Sequence, residues 1–161
     1  MKYHMRRQDK EIKDSTLLRK ILKQTKYITI AMIMDNHPYL VSLNHGYDPK
    51  ENCIYFHCAK EGKKIDYMKA NNEIWGQALL DFGYDSKWCT QSYATVMFNG
   101  KVSFIEDLRQ KRKAFLVINS QLKSPPERLK EIMKTNLRKT TVGRIDLESL
   151  SGKKSKEVTI T

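Results

Sequence analysis

The chain is poor in the residues that announce most kinds of chemistry. Its 161 residues include three cysteines, Cys53, Cys58 and Cys89, none of them in a C-x-x-C. An odd number cannot pair completely, which argues against a disulfide framework or a cysteine-rich zinc site and for a reducing compartment, the cytoplasm. The four histidines, His4, His37, His45 and His57, form no i, i+4 pair and no H-E-x-x-H, so no metal site is expected. There is no G-x-S-x-G, no phosphate-binding G-x-x-x-x-G-K-[ST] and no dinucleotide-binding G-x-G-x-x-G. No apolar run approaches the roughly 18 residues of a membrane span. Met1 to Arg7 leads into no apolar stretch of the kind a secretory signal needs.

What the chain has in excess is positive charge. Thirty Lys and Arg against eighteen Asp and Glu leave a net +12. Residues 1–26 carry +6, residues 27–100 carry −2 and residues 101–161 carry +8. A basic chain invites a nucleic-acid reading. The excess, however, lies on flanks that read as helices, where solvated faces explain it, and no RNP-like motif is present. Nucleic acid and membrane are therefore disfavoured as partners.

Hydropathy patterning gives a mainly β chain with helices at its edges, an α+β arrangement in a single domain over 1–161. Asp14-Ser15-Thr16 is an N-cap cluster, followed by Leu17, Leu18, Ile21 and Leu22 on one helix face, so residues 1–26 form an N-terminal helical segment. Tyr27–Met34, Tyr39–Tyr47 and Cys53–Cys58 read as three strands joined by short turns, an antiparallel meander. A short helix over Lys64–Ala70 follows, then strands over Glu73–Phe82 and Ser92–Ile105, the second broken by a bulge at Asn99-Gly100. Asp107–Leu122 and Pro125–Leu137 read as helices and Thr141–Leu147 as a sixth strand. Residues 151–161, polar and lysine-rich, are expected to be a flexible tail. Six strands with short connections suggest a closed or partly split antiparallel barrel.

The stretch richest in chemistry is His57-Cys58-Ala59-Lys60-Glu61-Gly62-Lys63-Lys64. A strand ends in a histidine, a glycine-containing loop follows, and two lysines open a helix. Helix N-termini favour anions, and Lys63, Lys64 and the His57 ring would add donors for a phosphate. The same pattern fits a solvated lysine-rich turn. Trp75 and Trp88 could stack on a flat ligand or sit in a core or interface.

Several segments together resemble the split-barrel proteins related to pyridoxamine 5'-phosphate oxidase, and within them the nitroimidazole-resistance (Nim) branch. Met5-Arg6-Arg7-Gln8-Asp9-Lys10-Glu11 is similar to its M-R-R-x-D-K-E opening. Asp35-Asn36-His37-Pro38-Tyr39 is similar to a D-x-x-P-Y turn, and Leu43-Asn44-His45-Gly46-Tyr47 to L-N-x-G-Y. Ile54 to Lys64 resembles I-Y-F-H-x-A-x-E-G-K-K, and Tyr93-Ala94-Thr95-Val96 with Gly100-Lys101 resembles Y-x-S-V-x-x-x-G-K. Ser42 stands where the branch often has proline, Thr95 where it has serine, and Trp75 where it has an aliphatic residue. The resemblance implies a homodimer of six-stranded antiparallel split β-barrels with flanking helices, holding FMN, or alternatively FAD, in a groove between subunits. It implies that His57, Lys63 and Lys64 approach the phosphate, that Ala59 also belongs to the cofactor-binding set, that Ser42, Leu43 and Asn44 run along the flavin ring, and that Tyr93 and Thr95 line the same groove. The expected activity is an FMN-dependent oxidoreductase acting on nitroaromatic or similar small molecules, with a non-enzymatic flavin- or nucleic-acid-binding module as the alternative. No general acid is assigned, although His45 at its strand end is a candidate.

Overall fold

The computed structural model describes residues 5–161. His4 and the first residues of the stretch read for a secretory signal lie outside the described residues. Six strands, β1 (Tyr27–Met34), β2 (His37–Asp48), β3 (Cys53–Cys58), β4 (Glu73–Asp85), β5 (Thr90–Ile105) and β6 (Thr141–Lys154), make one antiparallel sheet. The sheet closes into a barrel in the order β1-β2-β3-β6-β5-β4, with β4 pairing back to β1. The period-2 alternation of β1 explains its place: Ile28, Ile30 and Met32 are buried in the barrel, while Tyr27 and Ile33 are exposed. The turn between β1 and β2 is Asp35-Asn36, both with positive φ (50° and 63°), as a two-residue hairpin with native twist requires.

Four helices decorate the barrel. In α1 (Ser15–Gln24) the Asp14 carboxylate accepts from the Thr16 N–H at 2.8 Å, and Leu18, Ile21 and Leu22 join the barrel core. The short α2 (Lys63–Ala70) buries Ile65, Tyr67 and Met68. In α3 (Leu108–Leu122), capped by Asp107, residues Ala114, Phe115 and Ile118 pack on the outer faces of β3, β5 and β6, through Cys53, Tyr55, Ile105 and Val142. The helix α4 (Pro126–Glu131) runs into a π turn over Ile132–Asn136, so the single helix expected over Pro125–Leu137 changes winding midway. The outer face of β1, β4 and the first half of β2 carries no helix of this kind among the described residues, and Leu40 and Trp75 there are both 63% exposed.

Two expectations need correction. Residues 151–161 do not form a flexible tail, because β6 runs to Lys154, pairing Ser151–Lys154 with Ala94–Met97, and Ser155 and Val158 are buried. Ser151 is exposed, while Gly152 faces in and its carbonyl accepts from the Ile12 N–H at 2.9 Å. The strands expected over Glu73–Phe82 and Ser92–Ile105 are both longer, since β4 and β5 re-pair at Tyr84–Gln91 and Asp85–Thr90 after a register shift. Phe98 lies fully inside the barrel, where its ring sits against Gly76 of β4. The bulge expected at Asn99-Gly100 is present as a register shift against β6.

Candidate functional site

The ladder between β2 and β3 is incomplete. It runs from Asp48–Cys53 to His45–Phe56 and stops. Beyond that point β2 continues as His37–Asn44, paired only with β1, and β3 continues as His57 and Cys58, paired only with β6. The barrel therefore opens between Ser42–Asn44 on one side and His57–Ala59 on the other. The free edge of β2 presents main-chain N–H and C=O groups that no strand takes up, which are ready donors and acceptors for a ligand. Leu43 points into the core, and Ser42 and Asn44 point outward and are exposed. The Ser42 and Thr29 hydroxyls are 2.9 Å apart, and Asn44 Nδ2 donates to the Lys26 carbonyl at 3.1 Å.

A polar row crosses the outer face from this edge. Thr29 of β1 pairs with both Ser42 of β2 and Gln77 of β4. Gln77 Nε2 donates to Thr95 Oγ1 at 3.0 Å, and Thr95 in turn donates to the Ala78 carbonyl at 3.0 Å. One step along the strands lies an apolar row, Leu40, Ala31 and Trp75, in direct register. A flat ligand with polar edges and an apolar face matches such a pair of rows. Thr95 lies almost fully buried beneath Gln77, so the exposed member of that pair is Gln77. Tyr93 is half-buried, with the Lys10 ammonium 5.6 Å above its ring. Thr29 and Gln77 were not singled out by sequence; their signal was polarity at the outward positions of otherwise apolar strands.

The two lysines stand at the mouth of the split. Gly62 takes φ 130°, ψ 162°, a conformation open to glycine, and no side chain caps α2. Lys63 Nζ lies 4.6 Å from the centre of the Tyr39 ring and 5.6 Å from that of Tyr67, the two rings themselves packing at 5.2 Å. This aromatic pair fixes the ammonium beside β2 by a cation–π contact. Tyr39 is thus a positioning residue that sequence reasoning met only as the end of a turn and the start of a strand. Lys64 lies on the β3 side, where its charge partly offsets the rise that burial causes in the Cys58 thiol pKa. Among the described residues neither lysine has a carboxylate partner. The molecule thus places two uncompensated ammoniums at an uncapped helix start beside an open strand edge.

The histidines divide. His57 alternates outward with Cys53 and Tyr55, and its ring packs on Phe115 of α3 at 5.4 Å with an exposed edge. Desolvation there lowers its pKa. No hydrogen bond joins it to Lys63 or Lys64 among the described residues, and Ala59 is exposed in the loop between them. His45 is not at a surface strand end. It is fully buried, with Nε2 3.0 Å from the Leu22 carbonyl, and burial pushes its pKa down to about 4. A ring with no path to solvent cannot serve as the general acid for a ligand at the split.

Known proteins share the fold of this chain. The family model described as pyridoxamine 5'-phosphate oxidase matches residues 14–154. No curated protein matches the sequence. Among solved structures, the chain is similar to a candidate 5-nitroimidazole antibiotic resistance protein from Bacteroides thetaiotaomicron, with 25% identity, TM-score 0.73, and 89% of this chain and 85% of that one covered. It is similar to a flavocytochrome from Azotobacter vinelandii, with 18% identity, TM-score 0.79, and 96% and 73% covered. It is also similar to a FAD-binding protein from Mesorhizobium loti, with 20% identity, TM-score 0.65, and 89% and 96% covered.

Proposed function

The chain belongs to the pyridoxamine 5'-phosphate oxidase family, and from that premise we propose that it is a flavoprotein, an FMN-dependent oxidoreductase that reduces nitroaromatic or similar electron-poor small molecules. The observation that carries the reading is the open edge of β2 at Ser42–Asn44 lying beside the unpaired Lys63 and Lys64 at the start of α2. These residues fit a flavin phosphate at the lysines and a polar ring edge along β2. A bound flavin would supply hydride or electron transfer. The chain itself would hold the phosphate through Lys63 and Lys64, offer main-chain partners at Ser42, Leu43 and Asn44, and keep one ring face dry against Trp75 and Leu40. Similarity to a candidate nitroimidazole-resistance protein supports the nitroaromatic substrate class, and similarity to a FAD-binding protein keeps FAD as the alternative cofactor.

The assembly we propose is a homodimer that covers the helix-free outer face. Ile33, Leu40, Trp75 and Leu79 are all exposed on that face, and an apolar patch of this kind marks an interaction surface. Light scattering should report a dimer at micromolar concentration, and Trp75→Glu should shift it toward monomer. The cytoplasm is the proposed compartment, in keeping with three free thiols. Among the described residues no helix is long and apolar enough to cross a membrane.

The test of activity is spectroscopic. The purified dimer should carry or take up flavin, bleach on anaerobic reduction, and recover its colour when a nitroaromatic compound is added. Flavin uptake without such recovery would make the protein a flavin-binding module rather than a reductase. A colourless protein that refuses flavin but binds DNA with a steep salt dependence would replace the reading altogether.

A further inference from the structure

A cleft of about 290 Å³ lies between α2, the end of β5, the start of α3 and the segment leading into β6. Four cations line it, Lys60, Lys69, Lys111 and Arg138, against one acid, Glu106. Lys111 is unusual among them because it is only 6% exposed. Its ammonium has three donors, and the structure gives it one acceptor, the Thr140 carbonyl at 3.2 Å. A buried charge is costly unless paired. Yet none of the four cations forms an ion pair among the described residues, with Glu106 or with any other acid.

We propose that this cleft is a second anion site, separate from the split of the barrel, and that it takes a small organic phosphate. The charge of the lining, four positive against one negative, suits a dianion better than a single carboxylate. The volume is about ten times the ~30 Å³ share of a water molecule, more than a bare phosphate needs. Ile65, Phe104 and Ile105 form an apolar wall beside the cations, which would face the organic part of a phosphate ester. The site is distinct from the lysines at the split. Ile65 and Lys69 share one face of α2 as an i, i+4 pair, whereas Lys63, two residues before Ile65, projects from the opposite side over Tyr39 and Tyr67.

The proposal is independent of flavin binding, and its test keeps the two apart. The background is the full chain carrying Lys63→Ala and Lys64→Ala, which removes the lysines at the split. Calorimetric titration with phenyl phosphate and with inorganic phosphate should give saturable binding, tighter for the ester. Adding Lys111→Met keeps the packed stem and removes the charge; adding Lys69→Gln changes an exposed side chain only. Each should weaken phenyl phosphate at least tenfold, with circular dichroism unchanged. Affinity left intact by both substitutions, or no binding in the background chain, would overturn the site. Inorganic phosphate binding as tightly as the ester would overturn the assignment to an organic phosphate. Flavin uptake by the unmodified chain is read separately and bears only on the split.

Discussion

His45 and His57 lie on neighbouring strands, and the face each occupies decides what its proton can do. Gln121 of α3 packs against the first. Its Oε1 accepts from the Tyr47 N–H at 2.8 Å, and its Nε2 lies 2.9 and 2.7 Å from the Leu22 and Thr25 carbonyls and 2.9 Å from His45 Nε2. His45 Nε2 is also 3.0 Å from the Leu22 carbonyl, and among the described residues its Nδ1 has no partner. With its pKa lowered from 6.5 to about 4, His45 contributes stability that is full above the unfolded value and is lost as pH falls toward the folded one. At ~1.36 kcal/mol per unit the loss approaches about 3 kcal/mol. Most of it comes before Glu51, held down to about 2 by Lys113 and Arg144, begins to titrate. Urea unfolding between pH 7 and pH 4 should therefore show a decline that His45→Gln flattens. His57 makes the opposite prediction for ligand. Its pKa is lowered in the free protein by desolvation, and a phosphate dianion nearby would raise it, so FMN binding takes up a proton. FMN affinity should fall as pH rises from the free toward the bound pKa, then level off, while riboflavin affinity stays flat. His57→Gln should remove the slope. Superimposable profiles for the two proteins would place His57 outside the phosphate's reach, as a ring packed on Phe115.

Among the elements, α3 is the one whose docking depends on a single missing atom. A Cβ on Gly46 of β2 would lie 2.6 to 2.8 Å from backbone atoms of Val117 and Ile118, so the helix could not keep its seat. Gly46→Ala should destabilise the fold by roughly 2–4 kcal/mol, the range of overpacked or disrupted cores, and thermal melting would show it. The Gln121 bonds to Leu22, Thr25 and Tyr47 would be strained by the same shift. This contact was invisible in the sequence, where Gly46 appeared only as part of L-N-x-G-Y. Tyr27–Met34 was legible to the residue because its alternation puts one face in the core and one outside, whereas Cys53–Cys58, buried on both faces over its first four residues, was legible as a short apolar run between turn signals. The end of β6 was not, because Ser-Gly-Lys-Lys carries no apolar side chain and its inward position is the hydrogen of Gly152. The strands expected over Glu73–Phe82 and Ser92–Ile105 stop short for a similar reason: Gly83 and Asp85 carry no strand pattern, yet they form a bulged extension of the hairpin.

At the scale of the whole molecule, six strands with short connections were legible as a closed or partly split barrel, but the strand order and the place of the split were not. A ladder that stops at His45–Phe56 leaves no mark on hydropathy, since Leu43 and Cys58 continue the same alternation on either side of the opening. What sequence did convey was the pair of lysines behind Gly62; the structure adds that Tyr39 and Tyr67 hold one of them beside the free edge of β2. The central claim is that this junction holds a flavin by its phosphate. The most direct measurement is titration of FMN and riboflavin into the unmodified chain and into the chain carrying Lys63→Ala and Lys64→Ala. Each lost charge-assisted contact is worth about 1.5–3 kcal/mol, and a decade of affinity about 1.4 kcal/mol. The account predicts that FMN weakens at least tenfold in the double variant while riboflavin is unchanged. Equal weakening of both, or FMN affinity left intact, would contradict it.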